Sequence, residues 1–271
     1  MTLPETPNLI AHESEGLLFL MFNRPQARNA MSRGLLEDIV NVFDAIRDDR
    51  SIRVVVLRGA GGNFCAGGDI KDMAASRQAL ANNKGAGPDP IAAYNRGFGV
   101  MLRKVNEAPQ AVIAVCEGAV LGGGFGLACV SDLTFAHVEA NFGLPETGLG
   151  LPPAQIAPFV VQRLGLPQAR RLAVLGARFQ GEEAKRLGLA HETFTTEAEL
   201  TLLLGHTVKL IRRCAPQANA DTKQIMLRVG HMPQDEILDY AAQKFSQAVQ
   251  GPEGAEGTMA FIEKRLPKWA Q

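Results

Sequence analysis

Ala111-Val-Ile-Ala-Val-Cys-Glu-Gly-Ala-Val-Leu-Gly-Gly-Gly-Phe-Gly-Leu-Ala-Cys-Val130 is the stretch on which the fold turns. It is apolar and long enough to raise the question of a membrane span, but Glu117 interrupts it and Gly118 and Gly122–Gly124 break it. A buried strand from Ala111 to Val115, a turn, and a buried helix opened by Gly123 or Gly124 fit it better. The same alternation extends outward. Leu17 to Phe22 reads as a strand closed by Asn23-Arg24-Pro25. Met31 to Arg47 has helical spacing through Leu35, Leu36, Ile39, Val42, Phe43 and Ile46, with Ser32 as a candidate cap. Val54 to Leu57 and Leu133 to Ala136 are further short buried strands, and Asp69 is placed to cap the helix after it. Short buried strands alternating with helices indicate an α/β fold. Ala79 to Pro90, with its Asn, Gly and Pro residues, reads as a loop. From about His206 the strand signal fades, and helices are expected around Leu210, Gln224–Val229, Ile237–Val249 and Gly257–Lys264.

The bulk properties exclude some functions. The chain has 271 residues, 46% hydrophobic and 21% charged, enough to bury a sizeable core. Its formal net charge is zero, so nothing draws it generally to nucleic acid or an anionic membrane, and a phosphate-bearing ligand needs a local cation. Cys65, Cys116, Cys129 and Cys214 form no Cys-x-x-Cys, and Cys116 and Cys129 lie in apolar runs as small hydrophobes, which suits a reducing compartment. The first residues have neither a basic nor an apolar signal region, and a cytoplasmic location is expected. His12, His137, His191, His206 and His231 are scattered without a nucleophile or metal motif, so no metal is expected.

The chemistry is carried by two Gly-rich turns, Phe64-Cys-Ala-Gly-Gly-Asp-Ile70 and Val120-Leu-Gly-Gly-Gly-Phe-Gly126, followed by Phe142-Gly-Leu-Pro-Glu146. Small residues let backbone N–H groups approach a ligand closely, and a helix start adds the positive end of its dipole. Donors at Ala66 and Gly123 aimed at one thioester oxygen would stabilise an enolate, with Glu146 as the proton carrier. Neither turn is a dinucleotide fingerprint or a phosphate loop.

Taken in this order, with Asn23-Arg24-Pro25, Arg28-Asn29-Ala30-Met31, Val55-Val-Leu-Arg-Gly59 and Ala260-Phe-Ile-Glu-Lys-Arg265, the chain resembles the crotonase, or enoyl-CoA hydratase/isomerase, family from about Leu18 to Lys268. The resemblance implies a spiral of ββα repeats in two stacked sheets. Residues 1–205 would form the core with the CoA and active site, and 206–271 a helical region for assembly into a homo-trimer or a dimer of trimers. It implies Ala66 and Gly123 as oxyanion donors and Glu146 as the catalytic acid. Gln26, Ala27 and Arg28 would line the CoA channel, with Asp69 and Ile70 near its adenine and pantetheine side and Ala66, Gly67 and Gly122 also binding the CoA thioester. Phe261 and Lys264 would reach the CoA of a neighbouring subunit. Coenzyme A arrives as part of the acyl-CoA substrate, so no separate cofactor is expected.

One departure matters. Typical hydratases of the family carry a second glutamate where this chain has Gly126. Glu117 and Glu139 fall elsewhere, and Glu139 reads as a surface turn residue. Three mechanisms remain: one glutamate serving both proton transfers, a substrate carboxylate accommodated by Gly126, or isomerisation with Glu146 shuttling a proton from one carbon to another. Glu117 to Asp132 and Leu151-Pro-Pro-Ala-Gln-Ile-Ala-Pro158 resemble the branch of the family that hydrates glutaconyl-CoA thioesters with an isohexenyl tail, in the catabolism of acyclic terpenes such as citronellol. Such a substrate needs a polar partner for its distal carboxylate, and Gln155, Lys71 and Arg96 are candidates. Enoyl-CoA isomerisation and methylglutaconyl-CoA hydration are the alternatives. RNA binding is disfavoured because the first helix sets Arg33 and Arg47 against Glu37, Asp38 and Asp44. A catalytically dead CoA-binding protein is disfavoured by the presence of Glu146.

Overall fold

A computed structural model of the chain describes residues 3–83 and 87–271. Strand β1 (Leu9–Ser14) pairs antiparallel with β2 (Leu17–Phe22). Helix α1 (Arg33–Ile46) follows, with Ser32 Oγ accepting from Leu35 N at 3.2 Å as its cap. Its Leu35, Leu36, Ile39, Val42, Phe43 and Ile46 are all buried, the stripe that their spacing requires. Then come β3 (Val54–Gly59), α2 (Ile70–Asn83) and α3 (Pro90–Asn106). The opening stretch is β4 (Ala111–Cys116), β5 (Ala119–Leu121) and α4 (Gly123–Val130), and every residue of α4 is buried.

Next are β6 (Leu133–His137), β7 (Asn141–Gly143), α5 (Ala157–Leu175), β8 (Arg178–Phe179), α6 (Gly181–Arg186) and β9 (Glu192–Phe194). Only helices follow: α7 (Glu197–Arg212), α8 (Pro216–Arg228), α9 (Gln234–Gln250) and α10 (Pro252–Ile262), with a last 3-10 turn at Lys268–Ala270. One sheet runs β1-β2-β3-β4-β6-β9, parallel after its first hairpin, and a second runs β5-β7-β8. This is the expected α/β crotonase architecture.

Three differences from the sequence reading have plain causes. β1 lacks strict alternation because only Leu9 of its residues is buried, which an edge strand tolerates. The loop expected from Ala79 is helical to Asn83, since Ala79-Leu-Ala81 continues a run of good helix formers; 84–86 lie outside the described residues. The boundary at 205 falls inside α7, which is also a core helix. Its Leu200 and Val208 pack with Val54, Val56, Ile113, Val115, Phe135 and Phe194 on one side of the large sheet. No described helix is long and apolar enough to cross a membrane.

Candidate active site

The site is built where two turns are laced together. Cys65 N donates to Ala119 O and Leu121 N to Cys65 O, both at 2.9 Å, so the turn after β3 runs beside β5. Gly124 permits this approach, because a Cβ there would stand 2.7 Å from Cys65 O and 2.8 Å from Cys65 Cβ. The turn after β2 locks in from the other side. Arg28 and Asn29 lie in the left-handed region (φ 47° and 55°), and Asn29, fully buried, donates to Ala60 O and Asn63 O at 2.9 and 2.6 Å. Met31 N donates to Gly67 O at 2.7 Å, and Met31 O accepts from Asp69 N and the Tyr94 hydroxyl at 3.1 and 3.2 Å.

This lacing decides which N–H groups are free. Ala66 N donates to Arg28 O at 3.0 Å, so the expected Ala66 donor is already used inside the protein. Gly68 N has no acceptor among the described residues, and its residue is exposed. Gly123 N, at the start of α4, likewise has none. Both glycines face the Phe98 ring: Cβ atoms built on Gly123 and Gly68 would lie 3.2 Å and 3.7 Å from its edge. Gly67 N and Gly124 N are also without an acceptor among the described residues, but only Gly68 and Gly123 lie against the Phe98 ring, which makes them the candidate pair.

Glu146 lies in the 3-10 turn Pro145–Leu149, fixed by Leu151 N donating to Glu146 O at 3.0 Å and by the Thr147 hydroxyl on Ala173 O at 2.9 Å. Its Oε1 lies against Gly122, 2.6 Å from where a Cβ would project, and the same point is 3.4 Å from Gly67 Cα. Its Oε2 is buried without a hydrogen-bond partner, and burial pushes the carboxyl pKa up. A half-buried carboxyl thus stands where the two turns that carry Gly68 and Gly123 meet.

Position 126 is not open space. A Cβ on Gly126 would meet Leu102 Cδ1 at 3.2 Å and Ile156 Cγ2 at 3.3 Å. These aliphatic side chains crowd the place where a second glutamate would start and offer no polar partner there, which disfavours seating a substrate carboxylate at Gly126, one of the three mechanisms considered. Gly126→Glu is expected to destabilise the fold by about 3 kcal/mol or more, by burying an unpaired carboxylate among aliphatic groups. It is also expected to lower activity rather than restore a second acid. A thermal melt with a rate assay checks both; a faster variant of unaltered stability would contradict the packing.

The other expected site residues fall into two groups. Asp69 turns inward: its Oδ2 takes Arg24 Nη2 at 2.8 Å and its Oδ1 caps α2 through Lys71 N at 2.9 Å. The Arg24 guanidinium and the backbone donors hold its carboxyl below the usual range against the opposing effect of burial, and Asp69 supports the turn rather than offering itself to a ligand. Gln26, Arg28 and Ile70 are exposed around the mouth, Ile70 to 78%, while Ala27 is half-buried and Gly67 and Gly122 are buried. Phe261, 85% exposed, and Lys264 lie at the exposed end of α10. Glu117 is bound by Arg58 at 2.7 and 2.9 Å, and Glu139 is an exposed turn residue as expected. Cys65 and Cys129 are buried thiols whose burial pushes them up to about 11 and about 12. Phe98, Leu102, Ile156 and the Gly68 donor were not singled out in the sequence, where only the Gly67-Gly68 pair hinted at the last.

The enoyl-CoA hydratase/isomerase family matches the chain over residues 12–271. Pseudomonas aeruginosa AtuE superposes with a TM-score of 0.93 at 53% identity, over 97% of this chain and 100% of that one. The 2,3-dehydroadipyl-CoA hydratase of Escherichia coli is 29% identical over 96% of this chain and 97% of its own. The peroxisomal Delta(3,5)-Delta(2,4)-dienoyl-CoA isomerase of Arabidopsis thaliana is 27% identical over 98% of each chain.

Proposed function

Because the chain belongs to the enoyl-CoA hydratase/isomerase family, we propose that it hydrates a branched, carboxylate-bearing enoyl-CoA, isohexenylglutaconyl-CoA, to 3-hydroxy-3-isohexenylglutaryl-CoA. The observation that carries this reading is that Gly68 and Gly123, whose N–H groups have no acceptor among the described residues, both lie against Phe98, while the Glu146 carboxyl lies against the adjoining Gly122. In this reading the thioester oxygen accepts from both N–H groups. Ionised Glu146 takes a proton from water as its oxygen bonds to the β-carbon. The electron pair of the double bond moves to the α-carbon and thioester oxygen, where the two donors hold it as an enolate. Glu146, now protonated, returns that proton to the α-carbon and is ionised again. One water is consumed and nothing else is needed. A carboxyl whose pKa burial raises is suited to hold the proton between the two steps.

The thioester's CoA would run past Gln26, Ala27, Arg28 and Ile70, with Gly67 and Gly122 beneath the acyl carbonyl. In a homo-trimer or dimer of trimers, Phe261 and Lys264 of a neighbouring copy would complete that channel. The branched, acidic acyl group is supported by the likeness of Glu117–Asp132 and Leu151–Pro158 to the branch with such substrates, and by a relative named for the thioester of another dicarboxylic acid. The comparison that tests the acyl group is kcat/KM on isohexenylglutaconyl-CoA against crotonyl-CoA. A preference above about 10-fold for the former is expected, on the order of one or two filled pocket contacts; a preference for crotonyl-CoA would refute it.

The packing at Gly126 also favours a second reading, enoyl-CoA isomerisation. Moving a proton between the α- and γ-carbons needs one carboxyl and no bound water, and Leu102 and Ile156 leave a dry wall there.

A further inference from the structure

Helix α3 packs against both turns of the site. Phe98 spans Gly68 and Gly123, and Leu102, one turn further, closes Gly126. Between them is Gly99, buried and mid-helix, where glycine costs about 1 kcal/mol relative to alanine. The reason for a glycine is visible in its surroundings. The Gln155 amide oxygen lies 2.0 Å, and Arg96 Nη1 2.7 Å, from the point where a Cβ on residue 99 would stand. The missing side chain is thus a notch into which an amide and a guanidinium fold together. Gln155 comes from the segment before α5, and its neighbour Ile156 is the other side chain against Gly126. Arg96 is exposed and forms no ion pair among the described residues. Lys71, also considered from the sequence, is on α2 and is not at this notch.

We propose that Arg96 and Gln155, seated on Gly99, form the subsite that selects acyl-CoA substrates carrying a carboxylate at the end of the acyl group away from the thioester. The inference rests on the reading of this pocket as an acyl-CoA site. A guanidinium beside an amide, with no acid among the described residues paired to it, matches a planar anion. Arg96 supplies charge-assisted donors and Gln155 its Nε2 hydrogens, since the amide oxygen is turned into the notch. The position suits a group several bonds beyond the thioester. Phe98 lies against Gly68 and Gly123, and Gly99 opens the notch about 100° around the same helix, on the side where Leu102 and the Gln155–Ile156 segment pack. Leu102 and Ile156 make the wall at Gly126 apolar, so Arg96 and Gln155 at the adjoining notch are the polar groups on this side of the site.

The test is a calorimetric titration with two saturated thioesters that cannot react, 3-methylglutaryl-CoA and 3-methylpentanoyl-CoA, which differ only by a carboxylate in place of a methyl group. The native protein is expected to bind the acid at least about 10-fold more tightly, the lower end of what a charge-assisted hydrogen bond contributes. In Arg96→Ala that ratio falls to near one. Gln155→Leu and Gly99→Ala reduce it by similar amounts to each other, because a methyl group on residue 99 displaces the amide. A native protein without preference, or an Arg96→Ala variant that keeps it, overturns the subsite. No turnover is involved, so the two readings fail separately: loss of the preference with hydration intact removes the subsite alone, and a preserved preference in a protein that adds no water removes hydration alone.

Discussion

Replacing Glu146 by glutamine is expected to lower kcat by about 10³-fold or more, near the upper end of what general acid–base catalysis contributes, because one carboxyl serves two proton transfers. Position 126 offers no substitute, filled as it is by Leu102 and Ile156. The same variant should be more stable than the native protein above neutral pH. Burial raises the Glu146 pKa in the folded state, and its Oε2 has no partner. Above that raised value the folded protein holds an unfavourable charge that the unfolded chain solvates freely. Below the ordinary value of 4.5 the group is neutral in both states and the difference vanishes. The melting temperature of Glu146→Gln should therefore exceed the native one at pH 8, with the gap closing as pH falls toward the ordinary carboxyl range. A rate within 10-fold of native, measured at saturating thioester, would move the proton carrier elsewhere.

Gly122→Ala is expected to be nearly as damaging while leaving every ionisable group in place. Residue 122 has φ 51°, so a side chain there is strained by about 1–2 kcal/mol. The added methyl group would stand 2.6 Å from Glu146 Oε1. Either the carboxyl or the turn before α4 must move, and the turn carries the Gly123 donor. Loss of one oxyanion donor lowers rates by about 10²–10³-fold, which sets the expected fall in kcat. Full activity with an unaltered melting temperature would contradict the geometry. A KM effect alone would mean that the turn binds the thioester without stabilising its enolate.

Much of this was legible in the chain, for physical reasons that differ from place to place. Elements that bury a continuous stripe or run declared themselves: α1 through its apolar spacing and Ser32 cap, β4 and α4 through the Ala111–Val130 stretch cut by glycine. Glu146 stood out because it follows the two Gly-rich turns in the order that carries the family resemblance. β1 was missed because an edge strand with one buried residue carries no period. The Ala66 expectation failed for a subtler reason. Which N–H of a turn is free depends on a long-range bond, here from Ala66 N to Arg28 O, and on a backbone that bends left-handed at Arg28 and Asn29. Gln155 at Gly99, and Leu102 and Ile156 at Gly126, come from segments distant in sequence, so Gly126 could be read only as a missing acid and room, and only the packed structure reveals what occupies each place.

The most direct measurement is to incubate the native protein and Glu146→Gln with isohexenylglutaconyl-CoA, following product mass together with loss of enoyl-thioester absorbance. A gain of one water by the native protein, absent from the variant, is the predicted result and establishes a hydratase that works with one protein carboxyl. An unchanged mass for that thioester, with a shifted double bond when a 3-enoyl-CoA is supplied, would contradict it and assign the site to isomerisation.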